Sequence, residues 1–98
     1  MTYDSGATYI LGYRAVQDKV PNASGVYTIS APRRSVYVGH SDDIRQSLFQ
    51  HLNQPNDCIA GWGPLSFSFE TAPPAERQSR YRALVTVLRP ACSAKEGS

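Results

Sequence analysis

Two short segments separated by a tight turn constrain the fold of this chain more than any other feature. Gly25-Val26-Tyr27 begins the first segment and Tyr37-Val38-Gly39 ends the second, and both are rich in β-branched and aromatic residues, which favour strands. Residues 31–34 lie between them, contain a proline and are short enough for a hairpin turn. We therefore predict two antiparallel strands over residues 26–30 and 35–38.

The predicted hairpin brings two phenols together. A turn centred on Pro32 places Tyr27 opposite Tyr37, and partners in a ladder project from the same face of the sheet. An aromatic pair of this kind stabilises a hairpin by roughly 0.2–1 kcal/mol without any catalytic role. The two tyrosines therefore indicate a reactive site only if other site residues accompany them.

Hydrophobic spacing predicts three helices and one more strand around the hairpin. Residues 9–17 have the spacing of a short amphipathic helix, and Ser41 can cap a second helix whose apolar stripe is Ile44, Leu48 and Leu52. Clean alternation over residues 65–69 predicts a third strand, and a closing helix is expected over 75–89. The order of elements is therefore helix, hairpin, helix, strand, helix.

Composition places the chain in an ordinary class. Its 98 residues suit one domain, with a core over about 8–93 and a flexible tail over 94–98, and its formal net charge of +2 is too small to indicate a nucleic-acid partner by itself. No apolar run is long enough to span a membrane, so a cytoplasmic location is expected. Cys58 and Cys92 lack the spacing of a disulfide framework, and we expect free thiols.

The ordered set of motifs resembles the GIY-YIG nuclease domain over about residues 20–93. The resemblance implies an α/β fold, a small domain in which a three-stranded antiparallel sheet is flanked by helices. It also implies hydrolysis of phosphodiesters. In that family the strand tyrosines activate or position water, an arginine on the helix after the hairpin neutralises phosphate charge, and a glutamate on the closing helix holds one divalent metal ion. Such groups stabilise the charge that develops on oxygen in the transition state.

The family's tyrosine and histidine positions are intact in this chain. Tyr27 and Tyr37 match the two motif tyrosines, and His51 matches a position that often holds histidine or an aromatic residue. The arginine position is Ser47 instead. Arg45 lies two residues earlier. On a helix, a difference of two residues rotates the side chain by roughly 200° about the helix axis.

The metal-binding position also departs from the family pattern. The glutamate position is Tyr81, and Glu76 lies five residues upstream, more than one helical turn away. The asparagine that many members carry beyond the last helix is Ser93 here. The resemblance therefore predicts a nuclease fold that has lost its activity and needs no cofactor, with Mg2+ or Mn2+ required only if activity is retained.

Two alternatives remain open at this point. The chain could be an active metal-dependent endonuclease in which Arg45 and Glu76 converge on the motif tyrosines. It could also be a protein-interaction or regulatory module that uses the old active-site cleft, with an apolar groove around Tyr81 and Trp62. A serine nucleophile formed by Ser47 and His51 is a weaker possibility. A zinc site is also weak, because its candidate ligands lack zinc-site spacing: His40, His51, Cys58 and Cys92.

Basic residues on the hairpin turn and the closing helix are candidates for binding DNA or RNA. A locally basic helix face can bind phosphate or can simply be solvated, and the sequence favours neither interpretation for this helix. The candidate set is Arg33, Arg34, Arg77, Arg80 and Arg82.

Overall fold

The predicted hairpin lies inside a four-stranded antiparallel sheet. The computed structural model describes residues 8–54 and 57–92. The elements are β1 Tyr9–Ile10, α1 Tyr13–Lys19, β2 Gly25–Ala31, β3 Arg34–Ser41, α2 Ile44–Asn53, α3 Asp57–Ala60, β4 Ser66–Thr71 and α4 Pro74–Leu88. The strand order is β1-β4-β2-β3. The expected α/β fold with helices flanking an antiparallel sheet is confirmed, although the sheet has four strands and not three.

The additional strand comes from residues expected to be helical. Tyr9 and Ile10 pair with Phe67 and Ser66, and the next amide, that of Leu11, donates to the carbonyl oxygen of Leu65 at 3.0 Å. The edge of β4 that does not pair with β2 supplies these backbone hydrogen-bond partners. Residues 9 and 10 therefore form a strand, although their hydrophobic spacing is that of a helix. α1 begins only at Tyr13.

The hairpin register differs from the prediction by two residues. Tyr27 lies opposite Gly39, and Tyr37 lies opposite Ile29. One residue of the difference arises at the turn, where Ala31 pairs with Arg34, and the other at an irregularity between Ile29 and Ser30. A shift of two keeps both phenols on one face, and their ring centroids are 6.1 Å apart. Gly39 makes this arrangement possible, since a Cβ atom there would lie 2.5 Å from the Tyr27 ring.

Helices cover both faces of the sheet. One buried cluster includes Tyr27, Tyr37 and Leu48, and the other joins Val26 and Val38 of the sheet to Leu84 of α4. α2 is capped by Asp43, whose carboxylate accepts from the amide of Gln46 at 3.1 Å, rather than by the expected Ser41. The hydrophobic core is therefore divided between the two faces of the sheet. α2 packs on the face that carries Tyr27 and Tyr37, and α4 packs on the opposite face.

A disulfide between Cys58 and Cys92 contradicts the expectation of free thiols. After α4 the chain turns back beside β3, where the Cys92 amide donates to the Val36 carbonyl oxygen at 2.7 Å. This path brings Cys92 to α3, although the two cysteines are 34 positions apart. Neither thiol can then ligate zinc, so the four-residue zinc alternative is also wrong.

Several expectations lie outside the described residues. Ser93 and the proposed tail over 94–98 are among them, so the division into a core and a flexible tail stays a prediction. Within 8–54 and 57–92, no helix is long and apolar enough to cross a membrane. Trp62, which was expected beside an apolar groove with Tyr81, is 40% exposed.

Candidate nuclease site

The two motif tyrosines meet His51 on the α2 side of the sheet. The Tyr27 hydroxyl lies 3.0 Å from Nε2 of His51, within hydrogen-bond distance. The Tyr37 ring meets the His51 ring edge-on, with centroids 4.9 Å apart. β2, β3 and α2 thus bring together the three residues that the resemblance singled out, and we call Tyr27, Tyr37 and His51 the tyrosine-histidine cluster.

Burial keeps the tyrosine-histidine cluster uncharged near neutral pH. Desolvation raises the pKa of Tyr27 far above its ordinary value, and the neighbouring Tyr37 phenol raises this pKa further. Desolvation also raises the pKa of Tyr37 and lowers the pKa of His51. A neutral phenol can donate a hydrogen bond but cannot accept a proton from water efficiently. The cluster therefore suits packing and positioning better than base catalysis.

Arg45 does not reach the tyrosine-histidine cluster. Its Nε donates to the carbonyl oxygen of Val20 at 2.7 Å, and its Nη2 donates to that of Gln17 at 3.3 Å. These carbonyl groups lie at the C-terminal end of α1. A positively charged hydrogen-bond donor is favourable there, because the last carbonyl oxygens of a helix lack intrahelical partners and carry partial negative charge. Arg45 therefore joins α2 to α1.

The residue at the family's arginine position also has a structural partner. The Ser47 hydroxyl donates to the Ser41 hydroxyl oxygen at 2.6 Å. Ser41 Oγ in turn accepts from the Asp43 amide at 3.0 Å, just before α2 begins. Ser47 thus helps to hold the start of α2. Its hydroxyl forms a hydrogen bond with Ser41 and not with His51.

The surroundings of the tyrosine-histidine cluster do not fit a divalent metal. Mg2+ and Mn2+ prefer carboxylate oxygen ligands. Tyr81, at the family's glutamate position, meets His40 edge-on with ring centroids 4.7 Å apart, and Glu76 is exposed in the first turn of α4. Over 8–54 and 57–92, no three potential metal-ligating side chains come together.

The five candidate phosphate-binding arginines form two groups. Arg77 pairs with Asp42, and Arg80 donates from Nε to the Glu70 carboxylate at 2.8 Å. Arg33 and Arg34 lie at the other end of the sheet, at the hairpin turn, and Arg82 is exposed on α4. The structure therefore separates two arginines with acidic partners from three exposed arginines, two of them at the turn and one on α4.

One further arginine joins the turn group. Nη2 of Arg34 donates to the carbonyl oxygen of Arg89 at 3.1 Å. Arg89 ends α4 in the left-handed conformation, with φ of 47°. The position of Arg89 before Pro90 signals a helix end, but its proximity to the hairpin requires the tertiary structure.

A cavity of about 240 Å³ adjoins the tyrosine-histidine cluster and was not anticipated. His51 is its polar wall, and the remaining walls are apolar or small. They come from segments distant in sequence, so no local pattern marks the cavity. The lining residues are Leu11, His51, Leu52, Ile59, Ala60, Gly63 and Leu65. The predicted groove around both Tyr81 and Trp62 is not this cavity, since neither residue lines it.

Comparison with known proteins relates the chain to one nuclease domain. No family model and no curated protein matches it. Among solved structures, the magnesium-bound GIY-YIG N-terminal endonuclease domain of UvrC from Thermotoga maritima is 19% identical, with a TM-score of 0.66 over 81% of this chain and 92% of that chain. A point mutant of the same domain gives 18% identity and a TM-score of 0.68 over 85% and 96% of the respective chains. This chain therefore has the fold of the GIY-YIG endonuclease domain.

Proposed function

We propose that this domain binds nucleic acid and does not cleave it. The fold supports a nucleic-acid partner, because the solved domains it resembles are endonuclease domains. Fold alone does not fix function, so the proposal depends on the site residues. Their chemistry lacks the charged groups that phosphodiester hydrolysis requires.

The position of Arg45 is the observation that carries the proposal. Its guanidinium bonds two carbonyl oxygens of the α1 end and leaves the tyrosine-histidine cluster without a described cationic partner. Loss of one donor that stabilises a developing oxyanion costs about 10²–10³ in rate in other enzymes. Without the metal carboxylate as well, little turnover is expected.

The tyrosine-histidine cluster supports a structural role in this setting. Tyr27 is 4% exposed and Tyr37 is 8% exposed, so neither ring is open to a bulky substrate. The contact between Tyr27 and His51 joins β2 to α2. The motif residues would then serve to pack the interface between β2 and α2.

The active-endonuclease alternative requires rearrangement of two residues. Arg45 would have to break its bonds to Val20 and Gln17, and Glu76 would have to reach the cluster from an exposed position at the start of α4. We therefore place this alternative below the binding proposal.

A protein-interaction module is the second candidate, and the cavity beside His51 favours it. Large exposed side chains adjoin its lining in sequence: Trp62 precedes Gly63, and Ile10 precedes Leu11. Exposed apolar side chains around a pocket are typical of protein contacts. This candidate predicts affinity for a protein without salt-dependent binding of nucleic acid.

The cellular location stays a prediction. A cytoplasmic location was expected, but disulfides such as Cys58–Cys92 persist mainly in oxidising compartments. The disulfide therefore weighs against that expectation.

Labelled duplex DNA, single-stranded DNA and RNA incubated with the full chain and Mg2+ or Mn2+ test the proposal. We expect intact substrate together with binding that weakens as salt rises. Cleavage that disappears in Arg45→Ala and Glu76→Ala would establish the active alternative. Arg14→Ala is the matched control, because Arg14 is an exposed α1 residue outside both candidate sites.

A further inference from the structure

We infer that the nucleic-acid phosphate backbone binds to four arginines on the α4 side of the sheet. This inference rests on the proposed function and identifies its binding surface. We call the surface the arginine strip. It consists of Arg33, Arg34, Arg82 and Arg89.

The path of α4 brings these residues into one strip. The helix starts near the beginning of β2, where Arg77 Nη1 donates to Ser24 Oγ at 3.2 Å. It ends at the hairpin turn, where Arg34 donates to the Arg89 carbonyl oxygen. Arg82 lies seven residues before Arg89, about 10 Å along the helix axis. The strip therefore runs along α4 and onto the turn.

The strip consists of arginines that have no acidic partner among the described residues. Arg77 and Arg80 are neutralised by Asp42 and Glu70 near the start of α4. Among the described residues, no carboxylate forms an ion pair with any member of the strip. The Arg34 contact is to a neutral carbonyl oxygen, so its charge is retained. The two ends of α4 therefore differ, with ion-paired arginines near its start and arginines without acidic partners near its end.

Exposure makes this charge available to a large polyanion. All four strip residues are exposed, as is Val87 between Arg82 and Arg89, at 76%. A guanidinium binds phosphate through a planar fork of donors. Among the described residues, the exposed aromatic side chains are Tyr13 and Trp62, and neither belongs to α4 or the hairpin turn. Stacking of bases on aromatic rings is therefore not expected at the arginine strip. The surface therefore suits the phosphate backbone, which DNA and RNA share, and predicts little sequence preference.

The location of the strip separates binding from the old catalytic face. α4 packs on Val26 and Val38, whereas the tyrosine-histidine cluster lies on the opposite side with α2. A backbone lying on the strip would not lie in the tyrosine-histidine cluster. This arrangement accounts for a domain with a nuclease fold that holds nucleic acid without presenting it to the motif tyrosines.

Salt-dependent binding gives a quantitative test. Four phosphate contacts predict that log K against log salt has a slope of about −3.6 for duplex DNA and about −2.8 for a single strand. Fluorescence anisotropy with fluorescein-labelled duplex DNA and single-stranded RNA of one length measures both slopes. The test variants are Arg33→Ala and Arg82→Ala, because neither side chain has a described partner whose loss would unfold the domain.

We expect each variant to weaken binding of both probes and to reduce the magnitude of the slope by about 0.9 for duplex DNA and about 0.7 for the single strand, and the double variant to reduce it by about twice as much. The matched control, Arg14→Ala, removes the same charge from exposed α1 and should leave the slope unchanged. Binding that the double variant retains in full, or that Arg14→Ala weakens equally, would overturn the strip while leaving the proposed function standing. No binding by the wild-type chain would overturn both.

Discussion

The guanidinium of Arg45 donates to the carbonyl oxygen of Val20 across 2.7 Å, although the two residues are 25 positions apart. Val20 ends α1, and its own amide bonds back to the Val16 carbonyl oxygen. The arginine that lies closest in sequence to the family's phosphate-binding position thus holds two helices together. Its contribution should be visible in stability and not in catalysis.

Replacing Arg45 with alanine should lower the free energy of unfolding by about 1–2 kcal/mol, because the variant loses donors to two carbonyl oxygens. Urea denaturation measures this change. Arg14→Ala, an exposed substitution on α1, should stay within about 0.5 kcal/mol of wild type. An Arg45→Ala protein with unchanged stability but lost cleavage of nucleic acid would contradict the structural role.

A methyl group at Gly39 should destabilise the fold by about 1–3 kcal/mol, since it would overlap the buried Tyr27 ring at 2.5 Å. Thermal or urea unfolding of Gly39→Ala tests this close contact. Gly12→Ala is the matched control, because Gly12 is extended and a Cβ atom there has nothing within 4 Å. Equal effects of the two substitutions would mean that the ring does not lie against Gly39.

Local sequence patterns predicted most of the helices and strands. Long-range contacts account for the differences between the predicted and the observed structure. The hairpin, α2, α4 and the strand over 66–71 follow from alternation, helical spacing and proline positions. β1 could not be recognised because its partner strand lies more than 50 residues away, at Ser66 and Phe67. The disulfide was missed for the same reason, since Cys92 reaches Cys58 only after α4 has turned the chain back along β3.

The site was predictable in residue type but not in geometry. The motif residues Tyr27, Tyr37 and His51 lie together in the structure, and their role as site residues stays a prediction. The helical offset predicted that Arg45 turns away, but its acceptors at the end of α1 depend on how two helices pack. Likewise, the arginines of α4 look alike in sequence, and only tertiary structure distinguishes Arg80, which has an acidic partner, from Arg82.

Lowering the pH should destabilise the protein through His51. Burial lowers the pKa of His51 below its ordinary value of about 6.5, so the unfolded chain takes up the proton first as pH falls. The free energy of unfolding should therefore decline as pH drops below 6.5 and stop declining from this cause below the folded-state pKa. His51→Gln should flatten that part of the pH profile in urea denaturation, whereas His40→Gln should retain it. A decline that persists in His51→Gln would assign it to another group.

Breaking the disulfide should cost about 3–4 kcal/mol, because Cys58 and Cys92 close a loop with a sequence separation of 34. Chemical denaturation with and without a reductant measures this loss. Cys58→Ser should show the same loss, and reductant should not destabilise it further. Two reactive thiols in the folded, unreduced wild-type protein would show that the bond is not formed.

Cleavage of end-labelled nucleic acid by the wild-type chain, followed beside binding in the same Mg2+ or Mn2+ buffer, tests the central claim most directly. The UvrC endonuclease domain of Thermotoga maritima, which the fold resembles, serves as the comparison nuclease. We predict that this chain binds the probe and leaves it intact, because Arg45 is engaged at α1 and, over 8–54 and 57–92, no three potential metal-ligating side chains come together. Metal-dependent products that disappear in Arg45→Ala or Glu76→Ala would contradict the account.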